Sequence, residues 1–153
     1  MTENQELILG VMRAQGRADA LDLRGRAADL DGTAVIAEEE KAPEFVPGKD
    51  YSQWPTGAPV RDGEQVYKLL QPYDGASWPD QRPGDLPALW SICHTKDPAR
   101  AKPWQAPNGQ SGMYMTDECC TEDGHVWRST MDNNVWAPSG YPAGWEDLGE
   151  GGE

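Results

Sequence analysis

The segment DNNVWAPSGYPAGW, residues 132–145, places two tryptophans and a tyrosine among asparagine, proline and glycine. Pro, Gly and Asn favour turns at the surface, whereas large aromatic rings usually lie in the interior. Exposed rings in such a loop have a definite chemistry. The CH face of a neutral sugar stacks on them, and nearby amides and carboxylates hydrogen-bond its hydroxyls. The segment therefore indicates either rings that cap a small core or rings that form a binding surface.

Two loops contain residues suited to bind a neutral glycan. In the first loop the candidates are Tyr73 and Trp78, which flank Asp74. In the second loop Asp132 precedes four candidates, which are Asn133, Asn134, Trp136 and Tyr141. The alternative is that the asparagines only hold turns and that Trp136 only covers an edge of its module. Both interpretations are open at the level of the sequence.

The cysteines and histidines supply the elements of a zinc site but not its spacing. A C-x₂-C knuckle is absent, and adjacent cysteines such as Cys119 and Cys120 rarely chelate one ion together. We therefore expect no metal and no cofactor. The thiols are expected to be small buried side chains, or Cys93 bridges to Cys119 or Cys120 in an oxidising exterior.

Catalysis and binding to phosphate-rich partners are not expected. With 26 Asp and Glu residues, a glycosidase-like carboxylate pair can always be imagined, so their abundance carries no information. The sequence has no nucleophile elbow, H-E-x-x-H, P-loop or Rossmann fingerprint. A formal net charge of −13 speaks against nucleic acid and anionic lipid, and no apolar run is long enough to cross a membrane. The first residues also lack the pattern of a signal peptide.

The aromatic content predicts which part of the chain forms the β modules. The sequence has seven Trp, five Tyr and a single Phe, and every Trp and Tyr lies between Tyr51 and Trp145. The 17 Gly and 13 Pro favour turns and short strands over long helices. A boundary is therefore predicted shortly before Tyr51.

Residues 1–43 are predicted to be helical. Thr2 with Gln5 is a plausible capping box, and apolar residues at helical spacing follow it. A weaker periodic stretch interrupted by Gly25 comes next, and then a short helix capped by Thr33. None of these pieces can bury its apolar stripe alone. The segment is expected to be either a partly folded arm or one that orders against copies of itself or a larger body.

The aromatic region contains a diverged internal repeat. Three pairs of segments match in the same order: DGEQVYK (62–68) with DGHVWR (123–128), one residue shorter; SWP around Trp78 with VWAP around Trp136; PALW ending at Trp90 with PAGW ending at Trp145. Each copy predicts a hairpin with an Asp-Gly turn, a Pro-rich loop and a last short strand closed by tryptophan. The closing rings are expected to be structural, because such a small unit must fold on a few large aromatics.

These observations predict a mainly β protein, with two small three-stranded β modules in tandem behind an α-helical N-terminal segment. The predicted boundaries are 1–43 for the helical oligomerisation or docking segment, 44–96 for the first module, 97–102 for a linker, 103–148 for the second module and 149–153 for a disordered tail.

On these repeats and the DNNVWAP segment, the chain resembles the small type 3 chitin-binding modules, carbohydrate-binding module families five and twelve. Paired modules of this kind occur in accessory proteins of bacteriophage virions. The resemblance implies a non-catalytic, sugar-binding protein on the particle surface, as a head fibre or tail component. It departs at one place. Where chitin-binding members carry adjacent exposed aromatics, this chain reads KLLQPY and RSTMDN, so chitin binding does not carry over.

The expected partners follow from the residue patterns and from the family resemblance. They are a neutral glycan, a capsid or tail protein bound through the N-terminal segment, and further copies of the chain, most simply as a homotrimer. Two alternatives remain open. One is a purely structural virion fibre or decoration protein without sugar binding, and the other is a secreted bacterial polysaccharide-binding module.

Overall fold

The computed structural model describes residues 17, 18, 20–107 and 112–150. The predicted capping box at Thr2 and the helical pattern that follows it lie outside these residues. The described chain is mainly β, with one sheet of three strands, one of four, and several short helices. None of the helices among the described residues combines the length and apolar content needed to span a membrane.

The first sheet is antiparallel, with its strands side by side in chain order. Its strands are β1 (Pro59–Asp62), β2 (Gln65–Leu69) and β3 (Trp90–Ile92). β1 and β2 form a hairpin in which Asp62 pairs with Gln65 across a two-residue turn. Gly63 begins that turn with a φ of 61°, a left-handed conformation that favours glycine.

The second sheet has one strand more than the three we predicted. Its strands are β4 (Lys102–Pro103), β5 (Cys119–Glu122), β6 (His125–Ser129) and β7 (Trp145–Glu150). β4 pairs in parallel with β5, and the other neighbours are antiparallel. Lys102, expected in a linker, therefore belongs to the sheet. Gly149 and Glu150, expected in a disordered tail, belong to β7.

The two hairpins have turns of equal length. Glu122 pairs with His125 just as Asp62 pairs with Gln65, so the second hairpin lacks no residue. Instead, the turn glycine is the second turn residue in the second hairpin, whereas it is the first turn residue in the first hairpin. Asp123 and Gly124 are the two turn residues, with φ values of 53° and 78°, as a type I′ turn requires. The one-residue deletion inferred from the sequence is thus wrong.

Two α-helices precede the sheets in the part of the chain that the structure describes. α1 comprises residues 17, 18 and 20–26 of the described chain and continues through Gly25, where we expected an interruption. α2 spans Gly32–Ala37. Its cap is Asp31, whose carboxylate accepts the Ala34 N–H at 2.8 Å, and not Thr33. The Thr33 hydroxyl instead accepts the Lys96 N–H at 2.9 Å, which ties α2 to the chain after β3.

Both faces of the first sheet are buried because its strands alternate between two cores. Tyr67 and Leu69 of β2 face an aromatic cluster, whereas Val66 faces the helices. The buried members of the aromatic cluster are Phe45, Tyr51, Ala58, Val60, Tyr67, Leu69, Tyr73 and Trp90. The helix-side cluster is formed by Ala27, Val35, Ile36, Val66 and Cys93. α2 is therefore part of the folded body.

The segment between the sheets is ordered by contacts on both sides. The Thr95 backbone carbonyl accepts a hydrogen bond from the Cys119 N–H at 2.7 Å, and the His94 ring stacks on the Tyr114 ring with centroids 3.6 Å apart. A Cβ added to Gly32 would lie 2.3 Å from the His94 carbonyl oxygen, so the start of α2 touches this backbone directly. The two sheets and α2 therefore share contacts at His94 and Thr95.

Candidate functional site

The most exposed large aromatic residues of the second sheet form a pair. Trp136 and Tyr141 are 46% and 42% exposed, and their ring centroids lie 5.0 Å apart at an interplanar angle of 56°. The chain reverses between them, because the N–H groups of Gly140 and Tyr141 both donate to the Ala137 carbonyl. The reversal brings the two rings together while leaving part of each open to solvent.

Asn134 fixes the start of this loop from inside the protein. Its side chain is fully buried, and its amide nitrogen donates to Ser129 Oγ at 3.2 Å and to the Gly144 carbonyl at 2.9 Å. Its amide oxygen accepts the Trp136 N–H at 3.2 Å. All of these bonds are internal, so Asn134 holds the loop and is not itself accessible to a glycan.

Trp145 is a buried ring that is hydrogen-bonded to the loop carrying the Trp136–Tyr141 pair. Its ring is buried, packs edge-on against Tyr114 with centroids 5.1 Å apart, and lies opposite Ser129 in the sheet. Its indole Nε1 donates to the Trp136 carbonyl at 2.9 Å. The closing ring of the second sheet is therefore bonded to the backbone of the exposed ring.

Asn133 and Asp132 lie at the outer end of the loop. Asp132 accepts both the N–H and the hydroxyl of Thr116 at 3.0 Å, and these bonds hold the pKa of its carboxyl below the usual value. Asn133 is exposed with a φ of 54°, and its backbone N–H points to Met115 Sδ at 3.3 Å. Of the two candidate asparagines, Asn133 is the one that a ligand can reach.

The first loop presents only one of its two candidate rings. Tyr73 is 8% exposed and its hydroxyl accepts the Trp90 indole N–H at 2.9 Å, so it belongs to the core. Burial also raises the pKa of the Tyr73 phenol. Trp78 is 43% exposed and packs edge-on against Tyr73 with centroids 5.9 Å apart. The structure brings Tyr73 and Trp78 together, but not as a surface pair.

The closing tryptophans of the two sheets have equivalent positions. Trp90 pairs with Leu69 at the end of β2, and Trp145 pairs with Ser129 at the end of β6. Both indole N–H groups donate to the loop of their own sheet, that of Trp90 to the Tyr73 hydroxyl. Each sheet therefore has a buried tryptophan bonded to the Pro-rich loop that precedes it.

Trp78 and Trp136, matched in the sequence, do not have equivalent positions. Asp74 accepts the N–H of Ala76 at 3.0 Å, in the same way that Asn134 accepts that of Trp136. Asp74 and Asn134 also each form an isolated antiparallel bridge to the segment before their hairpin. Trp136 therefore stands where the first loop has Ala76, and Trp78 comes two residues later.

Sequence reasoning missed one residue that shapes the second loop. Glu122, at the end of β5, accepts the Ser139 N–H at 2.9 Å and so ties the middle of the loop to the sheet. Its position beside the hairpin turn gives no local signal, because the contact forms only when β5 and the distant loop are brought together by the fold. The Trp127 indole also donates to the Glu122 carbonyl.

The cysteines are free thiols in this structure. All three are buried, and none of them is paired. Burial raises the pKa of Cys93 to about 12 and that of Cys119 to about 11, and it also raises the pKa of Cys120. Within the described residues, no three His, Cys, Asp or Glu side chains are grouped so as to hold a metal ion.

Comparisons with known proteins assign no family. No protein-family model matches the chain, and no curated protein sequence matches it. The function is therefore inferred from the geometry of the second loop and from the residues on which the sequence resemblance rests.

Proposed function

We propose that this chain is a non-enzymatic bacteriophage virion protein, a head fibre or tail component, whose tandem carbohydrate-binding-like modules serve adhesion to surface glycans, with the binding site in the loop of the second module. The observation that carries the proposal is the exposed pair of Trp136 and Tyr141 on a loop held by buried hydrogen bonds. Aromatic rings of this kind offer faces on which the CH groups of a sugar can stack.

The rigidity of the loop favours binding over a purely protective role for the rings. Asn134, Trp145 and Glu122 each make hydrogen bonds that fix its backbone. A loop that is ordered before the ligand arrives loses less conformational entropy on binding. Binding residues also lie disproportionately on loops that a rigid scaffold positions.

The charge of the protein favours a neutral ligand. The chain carries a formal charge of −13, and the loop itself is flanked by Asp132 and Glu122. Both carboxylates accept hydrogen bonds from the protein, and an anionic sugar would be repelled by their charge. Asn133, exposed beside the rings in sequence, supplies an uncharged amide that suits sugar hydroxyls.

The tandem arrangement is supported by the equal hairpins and by the equivalent positions of Trp90 and Trp145. The location on a virion is supported by the resemblance of the repeated segments to phage accessory proteins. Antibody labelling of intact particles, viewed by electron microscopy, tests this location. Label on heads or tails is expected, and particles that lack the chain contradict the proposal.

A glycan array probed with the full-length chain tests the binding. Trp136→Ala and Tyr141→Ala are expected to weaken binding more than tenfold, because each removes a stacking face. Trp78→Ala is the matched control, since Trp78 is equally exposed but lies in the other loop. Circular dichroism must show that each variant keeps the fold. Equal losses from Trp78→Ala and Trp136→Ala would contradict a site at the pair.

A purely structural role is the second candidate, and one contact favours it. Trp136 and Tyr141 pack against each other, so each ring already shields part of its partner from water. If the pair serves only to cover the loop, an array probed with the protein in oligomeric form gives no specific signal. In that case Trp136→Ala lowers stability and changes no binding.

A further inference from the structure

Two rings lie side by side on β6, on the face of the second sheet that carries the second loop. His125 and Trp127 are two residues apart, so both side chains leave the same face of the strand, whereas Val126 between them is buried on the other face. Their ring centroids lie 6.1 Å apart at an interplanar angle of 33°. Both residues are partly exposed. We call this pair of adjoining rings the β6 platform.

The second loop reaches the edge of the β6 platform. The backbone carbonyl of Glu122 accepts the Trp127 indole N–H at 3.2 Å, and the Glu122 carboxylate accepts the Ser139 N–H at 2.9 Å. One residue therefore contacts both the platform and the middle of the loop. On β6, Trp127 lies two residues from Ser129, the partner of Trp145, and two residues span about 7 Å. A chain of a few sugar units is long enough to cover both places.

Hydrogen-bonding groups that suit sugar hydroxyls border the platform. His125 Nδ1 is bonded to Asp147 Oδ1 at 3.0 Å, and the same oxygen accepts the Gly149 N–H at 2.8 Å. These bonds orient the imidazole and the carboxylate, and Asp147 lies opposite Trp127 in the sheet. His125 Nε2 and Asp147 Oδ2 make no hydrogen bond to any other residue that the structure describes. Both atoms are therefore available to a sugar that lies on the rings.

The equivalent surface of the first sheet is already used for a contact. Gln65 and Tyr67 hold the same places in β2 as the platform residues hold in β6, because both hairpins have two-residue turns. Gln65 donates to the Pro103 carbonyl at 2.8 Å, and the Tyr67 hydroxyl accepts the Gln105 side-chain amide at 3.0 Å. This surface of the first sheet is thus covered by the following part of the chain, whereas both rings of the β6 platform remain partly exposed.

We propose that the β6 platform is a second subsite of the glycan site, and that the ligand is a neutral oligosaccharide chain that reaches from the Trp136–Tyr141 pair to the platform. One sugar unit stacks on the pair, and another stacks on the platform. The hydroxyls of the second unit bond to His125 Nε2 and Asp147 Oδ2. The inference rests on the proposed function and adds the ligand class to it, a stretch of a polysaccharide and not a single terminal sugar.

The dependence of affinity on chain length tests the second subsite in the full-length protein. Titration calorimetry compares neutral oligosaccharides of two and six sugar units, prepared from cellulose, starch, chitin and mannan. The six-unit ligand is expected to bind at least tenfold more tightly, because it alone reaches both subsites. His125→Ala is expected to lower the affinity for the six-unit ligand to that for the two-unit ligand. Trp136→Ala is expected to weaken the binding of both.

Arg128→Ala is the matched control for His125→Ala. The Arg128 side chain is 37% exposed against 38% for that of His125, and each is paired with an acidic residue of β7. Arg128 lies on the opposite face of the same strand, so its replacement should keep the gain in affinity from chain length. Equal affinities of the wild type for both ligands overturn the second subsite, as do equal losses in the two variants. If neither ligand binds, the glycan site and its second subsite are both overturned.

Proton NMR locates the ligand without any substitution. The imidazole signals of His125 are expected to shift when the six-unit oligosaccharide is added and to stay in place with the two-unit ligand. His94 is the internal reference, because its ring is buried against Tyr114. If calorimetry shows binding but the His125 signals do not shift with either ligand, the sugar lies on the Trp136–Tyr141 pair alone. That result would overturn the second subsite and leave the proposed function intact.

Discussion

The indole N–H of Trp145 donates to the backbone carbonyl of Trp136 at 2.9 Å, so a buried ring holds the backbone of an exposed one. The two tryptophans are close in sequence and similar in local composition, yet their roles differ. Trp145 is 5% exposed and packs in the core with Tyr114, whereas Trp136 is 46% exposed and pairs with Tyr141. The loop is thus a rigid extension of the second core, and its order should depend on buried polar contacts.

Asn134→Ala should therefore destabilise the protein although it removes few atoms. The substitution leaves the Trp136 N–H and the Gly144 carbonyl without their buried partner. Each unsatisfied buried group costs about 1–3 kcal/mol, so a loss of roughly 2–4 kcal/mol is expected in urea unfolding. Asn133→Gly is the control, because Asn133 is exposed and its positive φ suits glycine. Equal effects of the two substitutions would contradict the role assigned to Asn134.

Two helical glycines should respond to alanine in opposite directions. In Gly25→Ala the new Cβ meets no heavy atom within 4 Å, so α1 should gain about 0.5–1 kcal/mol from the better helix propensity of alanine. In Gly32→Ala the new Cβ would lie 2.3 Å from the His94 carbonyl, and backbone there must move. A loss of about 1–3 kcal/mol is expected. Urea unfolding of both variants checks the pair, and a stable Gly32→Ala protein would argue against close packing of α2 on the segment between the sheets.

The hairpins and the closing tryptophans were predictable because their signals are local. An Asp-Gly pair marks a tight turn, and a short strand ending in a large aromatic needs that ring for its core. The shift of the second turn, which begins at Asp123, was not predictable. An Asp-Gly pair reads the same in the sequence whether the two-residue turn begins at its glycine or at its aspartate. Nor was the parallel pairing of Lys102 with Cys120, which depends on contacts far apart in sequence.

Which of the candidate side chains are exposed could be predicted only in part, because burial depends on contacts between residues far apart in sequence. Exposure of Trp136 and Tyr141 follows from a Pro- and Gly-rich loop, but the burial of Tyr73 and Asn134 depends on which neighbours the fold supplies. The Tyr73 hydroxyl accepts a hydrogen bond from the Trp90 indole N–H, and the Asn134 amide oxygen accepts one from the Trp136 backbone N–H. A polar side chain in a loop looks the same in the sequence whether it bonds to a ligand or to its own backbone.

His94 should make the folded protein less stable in mild acid. Burial lowers the pKa of His94 to about 4, while an unfolded histidine titrates near 6.5. Between these values the unfolded chain binds the extra proton, so stability is fully present above about pH 6.5 and falls as the pH drops toward 4. Compared with His94→Phe, which keeps a ring against Tyr114, the wild type should lose about 2 kcal/mol more between pH 7 and 4.5.

Proton NMR separates His94 from the only other histidine. His125 is only partly buried, and its bond to Asp147 raises its pKa, so its contribution to stability has the opposite sign. The imidazole signal of His125 should titrate above the usual value, and that of His94 should stay neutral down to about pH 5. Titration of His94 near pH 6.5 in the folded protein would show that its ring is not held in the buried stack with Tyr114.

The three cysteines should be unreactive in the folded protein and fully reactive once it unfolds. The attacking species in thiol chemistry is the thiolate, and burial raises the pKa of Cys93, Cys119 and Cys120. A disulfide reagent added to the native chain should therefore react slowly, at a rate set by opening of the structure. In denaturant without reductant, all three thiols should titrate. A count of one would show a disulfide, as in the pairing of Cys93 with Cys119 or Cys120.

Rapid labelling of the native protein at Cys120 would show that the core beneath Trp145 opens readily, and the loop that carries Trp136 would then lack the rigid support described above.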